Sequence, residues 1–73
     1  MLKKRSFSLA GHRTSVALEP DFWGALEKSA VVRGKTLAAL VADIDAARGP
    51  AQPLASALRL LALREASANR ALD

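Results

Sequence analysis

The stretch Arg13-Thr14-Ser15-Val16-Ala17-Leu18 decides how this chain is read. Its residues alternate, with Thr14, Val16 and Leu18 on one side and Arg13, Ser15 and Ala17 on the other. A period of two with β-branched residues marks a half-buried strand. One short strand cannot stand alone, because half of its backbone groups need partners. A second copy of the chain is the simplest source of those partners. The result would be a two-stranded antiparallel ribbon showing Arg13, Ser15 and Ala17 outward, of a size that fits the major groove of DNA.

After Leu18 the rhythm changes. Pro20 suits the first position of a helix and Asp21 complements its dipole. Phe22, Leu26 and Ala30 recur at helical spacing, widened by Trp23 and Ala25, until Gly34 supplies a stop. Thr36 is a good N-cap for a second helix, whose apolar face is Leu37, Leu40, Val41, Ile44 and Ala47. Asp43, Asp45 and Arg48 take its other side, and Gly49-Pro50 ends it. Residues 49–53 form a stiff linker to a third helix, expected from about Leu54 to about Asn69. Between Leu54 and Leu63 only Ser56 and Arg59 interrupt the apolar residues, which predicts packing against a partner subunit. Ser67 to Asp73 is weakly patterned and expected to fray.

Toward the N-terminus, residues 1–5 read as a basic arm and residues 6–10 alternate again. Gly11 permits either a turn between two strands or a bulge within one, and the pattern leaves both open. The domain plan is therefore an arm over 1–12 with a possible extra strand, a strand-helix-helix module over 13–49, and a linker with its helix over 50–73.

Composition narrows the function. With 73 residues and no cysteine, the chain forms at most one small domain without disulfides. The single His12 makes no metal site, and neither a metal nor another cofactor is expected. The net charge of +4 lies entirely in residues 1–13, where Lys3, Lys4, Arg5 and Arg13 meet no acid. Such a segment attracts phosphate. No uncharged apolar run is long enough for a membrane span, so a cytoplasmic protein is expected. Asp43 and Asp45 point about 200° apart on a helix and cannot form an acid–base pair. No nucleophile has a base–orienter set, so the chain is not expected to be an enzyme.

Strand, helix, glycine turn and helix in this order resemble the ribbon-helix-helix superfamily of bacterial DNA-binding proteins, the Arc and MetJ type. The matching segments are Arg-Thr-Ser-Val-Ala-Leu, Glu-Pro-Asp-Phe-Trp-Gly-Ala-Leu and Arg-Gly-Lys-Thr-Leu-Ala-Ala-Leu-Val-Ala-Asp-Ile-Asp, from Arg13 to Asp45. The Ala-Gly-His-Arg-Thr-Ser lead-in and the Ile-Asp-Ala-Ala-Arg-Gly end are similar to a subgroup of small stand-alone members. The resemblance implies a mostly α fold with one short strand per chain, an intertwined homodimer, and a third helix outside the basic module. It also implies that Arg13, Ser15 and Ala17 face the bases. Ala17 departs from the polar residue common at that position, leaving at best a contact with a thymine methyl. Thr36 and the amides after it would clamp a phosphate.

Arg13 can pair with guanine O6 and N7, and Ser15 can reach a base or a phosphate. Lys3, Lys4, Arg5, His12, Lys35 and Thr36 are the candidate backbone contacts. Val16, Leu18, Phe22, Trp23, Leu26, Leu37, Leu40, Val41 and Ile44 are the candidate dimer core. The expected partner is double-stranded DNA, bound by a homodimer or a higher assembly, and a repressor is the simplest role. The alternative is an antitoxin or interaction module whose residues 54–63 dock on another protein.

Overall fold

A computed structural model describes the backbone of residues 1–72 and the side chains of residues 1–68. The chain runs β1 (Lys3–Leu9), β2 (His12–Leu18), α1 (Pro20–Val32), α2 (Leu37–Ala47) and α3 (Leu54–Leu72). The two strands pair antiparallel in register from Lys3↔Leu18 to Leu9↔His12. One strand per chain is thus corrected to two, and residues 3–5 are strand rather than a loose arm. The partner for β2 also comes from its own chain instead of from a second copy. A two-residue loop costs little closure entropy, so local pairing needs no bimolecular encounter.

That loop is Ala10-Gly11, with φ of 50° and 81°. Positive φ at both central residues defines the type I′ turn, whose twist matches that of the strands. Gly11 adopts this conformation freely, whereas Ala10 pays the β-carbon penalty of about 1–2 kcal/mol. Asparagine tolerates the left-handed region, and Ala10 is exposed. Ala10→Asn is therefore expected to stabilise the protein by about 1 kcal/mol. The urea midpoint should rise with an unchanged slope; a lowered midpoint would contradict this turn.

The helices begin and end as their sequences dictate. Pro20 opens α1, and Gly34 at φ 69° closes it. The Gly34 amide donates to Val31 O and the Lys35 amide to Ala30 O, the paired bonds of a Schellman stop. Thr36 caps α2 by accepting the Ala39 amide on Oγ1 at 3.1 Å. The Arg48 guanidinium bonds Asp45 and the Gln52 carbonyl, fastening the linker that follows.

Helices cover one face of the ribbon. Phe7, Leu9, Val16 and Leu18 from the strands meet Trp23, Leu26, Ala30, Leu40 and Val41 in one core. Leu54, Leu58 and Ala62 of α3 complete that core, with Leu58 wholly inaccessible. The packing expected between α3 and a partner subunit is thus supplied within the chain. Among the described large apolar side chains of α3, Leu60 and Leu63 are the exposed ones. Polar ties reinforce this seat. Arg59 bonds Glu19, and Glu65 accepts from both Arg33 and the buried Ser29. The Arg33 and Ser29 hydrogen bonds hold the Glu65 carboxyl below its ordinary range. α3 runs on to Leu72, three residues past the end expected near Asn69. The backbone of residues 67–72, expected to fray, is thus helical, and Asp73 lies outside the described residues.

Candidate nucleic-acid interface

Opposed residues of an antiparallel pair share a face. The register therefore joins Lys4 with Ala17, Ser6 with Ser15, and Ser8 with Arg13 on the side away from the helices. Five of the six are exposed and Ala17 is half-buried. The Ser6 and Ser15 hydroxyls lie 3.1 Å apart at the centre. A cation stands toward each end, Lys4 near the open end and Arg13 near the turn. This face carries no carboxylate, and residues 1–18 contain none.

Arg13, Ser15 and Ala17 thus lie in one row, as their alternation predicts. The backbone candidates divide. Lys4 joins the outward face. Lys3 and Arg5 fall in the opposite phase, with Phe7 and Leu9. The Lys3 carbonyl accepts the Trp23 indole N–H at 2.8 Å. The Arg5 guanidinium lies 5.1 Å from the Trp23 ring centroid and 2.8 Å from a Glu27 oxygen. His12 is exposed beside the turn, opposite Leu9.

Lys35 and Thr36 sit at the start of α2, where Arg5, Glu27 and Val31 join them around a shallow groove of about 400 Å³. First-turn amides and the helix dipole make this end attractive to an anion. The cations beside it are paired at present, Arg5 with Glu27 and Lys35 with Asp43. All four side chains are about a third or more exposed. Such pairs contribute only about 0–1 kcal/mol and exchange readily for another anion.

The nine apolar positions from Val16 to Ile44 build the core of a single chain. Six are buried, and Phe22, Leu37 and Ile44 pack partly buried against them. Val31 and Val32, outside that set, are 78% and 86% exposed at the end of α1. Ser6 and Ser8 were missed as members of the outward face. Their signal was the Ser-Phe-Ser-Leu alternation ahead of a two-residue loop, which fixes their phase against Ser15 and Arg13.

A basic two-stranded ribbon backed by helices is an arrangement that some DNA-binding proteins use. The sequence profile of the ribbon-helix-helix domain family matches residues 2–66, and the chain belongs to that family. It is a DNA-binding, non-enzymatic domain family whose members usually form dimers. No curated protein and no solved structure is similar enough to match. Among the described residues, no helix is long and apolar enough to cross a membrane.

Proposed function

We propose that this protein is a sequence-specific, cytoplasmic DNA-binding regulator, most simply a repressor that occludes a promoter. The observation that carries the reading is the outward face of the ribbon. It is two strands wide, uncovered by helices, cationic toward both ends and free of carboxylates. Arg13, Ser15 and Ala17 meet the base edges, while Lys35 and Thr36 hold a flanking phosphate. Lys3, Lys4, Arg5 and His12 add attraction to the backbone, Arg5 after release from Glu27. The exposed Val31 and Val32 support association of two chains, since a second copy offers the same apolar surface to cover them. The apolar face that pointed to an external protein partner is occupied in the chain's own core, so the interaction-module alternative gains no support.

Arg13→Ala tests the reading. Loss of a bidentate guanine contact is expected to weaken binding to a specific site by about 1–3 kcal/mol, roughly 5- to 150-fold. Binding to random duplex should change far less. Fluorescence anisotropy at fixed salt reads both, and equal losses on the two duplexes would move Arg13 to the phosphate backbone.

A further inference from the structure

We propose that the groove between α2 and α3 binds a small monocarboxylate with a compact apolar body. The site shares no residue with the outward face of the ribbon, so its test is separate from that of DNA binding.

Helical spacing builds the groove. Ile44, Ala47 and Arg48 fall at i, i+3 and i+4 on α2, and Ala57, Leu60, Leu61 and Arg64 at i, i+3, i+4 and i+7 on α3. The two rows line a shared groove of about 230 Å³, with Gln52 of the linker beside them. The fold uses its apolar wall only in part. Ile44 and Leu61 are half-buried, and Leu60 is 41% exposed. A ligand that covers them removes apolar surface from water, which drives association.

The charges set the sign of the ligand. Among the described residues that line the groove, two are arginines and none is acidic. Arg48 is already fixed, its Nε donating to Asp45 at 2.8 Å and its Nη1 to the Gln52 carbonyl at 2.7 Å. Asp45 neutralises it, which leaves Arg64 as the net charge of the groove. Arg64 is exposed, and no described carboxylate lies within ion-pair distance of it. Its neighbour Glu65 is engaged by Ser29 and Arg33. One uncompensated guanidinium beside an apolar wall matches one carboxylate, which it grips through two parallel N–H donors. A dianion would keep one charge unpaired.

Volume sets the size. Pockets for drug-sized ligands span about 300–1,000 Å³, and this groove is smaller. At about 30 Å³ for each water of the liquid, about eight to ten non-hydrogen atoms fill it. A medium-chain fatty acid is of that size.

Octanoate is the probe, with acetate and octanamide as controls that lack the apolar chain and the charge respectively. Octanoate should raise the unfolding temperature in step with its concentration, as a ligand of the native state must. Acetate and octanamide at equal concentration should shift it far less. In a two-dimensional amide spectrum, octanoate should move the signals of residues 44–48 and 57–64 and leave those of residues 3–18 in place. Arg64→Gln should weaken octanoate binding roughly 10- to 150-fold, the loss expected for a charge-assisted hydrogen bond. Leu60→Glu, which sets a like charge at the mouth of the groove, should abolish it. Both positions are exposed, so both variants should keep the wild-type unfolding midpoint without ligand.

Absence of octanoate binding, equal affinity for octanamide, or equal affinity in Arg64→Gln would each overturn the proposal. Signal changes centred on the exposed Val31 and Val32 instead of the groove would do the same. None of these results bears on duplex binding.

Discussion

Ending the chain after Gly49 is expected to unfold it. The truncation removes α3, which supplies Leu54, Leu58 and Ala62 to the core and buries Ala57 as well. Burying one leucine contributes about 1.5–3 kcal/mol, so the two leucines supply about 3–6 kcal/mol and the alanines add to that. The same cut exposes Leu18, Leu26 and Leu40 and strands Ser29 and Arg33 without Glu65. Domains are stable by only about 5–15 kcal/mol, and a chain of this length belongs at the low end. Residues 1–49 should therefore show weak far-UV circular dichroism and no cooperative urea transition. A remnant with its own sharp transition would place α3 outside the core, free to serve another protein.

Trp23→Ala is expected to cost about 3–5 kcal/mol, the range for deleting a large buried aromatic side chain. Trp23 is 1% exposed, and three features of β1 converge on it. Its indole donates to the Lys3 carbonyl, its ring centroid lies 5.8 Å from that of Phe7, and Arg5 covers it. The damage should consequently fall on the outer strand of the ribbon. Amide exchange in residues 3–9 should accelerate more than exchange in α2. Trp23→Phe keeps most of the buried area but leaves the Lys3 carbonyl without its donor, a loss of about 1 kcal/mol. A loss below about 1 kcal/mol for Trp23→Ala would show that the ribbon is held to the helices by other means.

Much of this architecture is legible in the residues. The switch of period at Glu19-Pro20, the Gly34 stop and the Thr36 cap each act through one local mechanism, and each boundary falls where that mechanism puts it. The partner of β2 was less legible. Alternation over residues 6–10 fixes a strand but not its neighbour, and Ala10-Gly11 is a weak hairpin signal because alanine resists positive φ. The fate of α3 was obscured for a related reason. A helix apolar on most sides says that it is buried, not by what. Once the hairpin supplies its own pairing, the helix fits the remaining apolar face of the same chain. At the interface, the outward phase of Arg13, Ser15 and Ala17 was readable from period alone. The inward turn of Arg5 was equally readable beside Phe7 and Leu9, but the cluster of three cations suggested a single role for all of them.

On the proposed function, the outward face of the ribbon reads a base sequence in the major groove. Selection of bound duplexes from a random pool, at near-physiological salt, tests it most directly. The account predicts enrichment of a short motif, repeated in inverted or tandem orientation as two chains bind side by side. A pool that stays random through successive rounds, with binding that depends on salt alone, would contradict it.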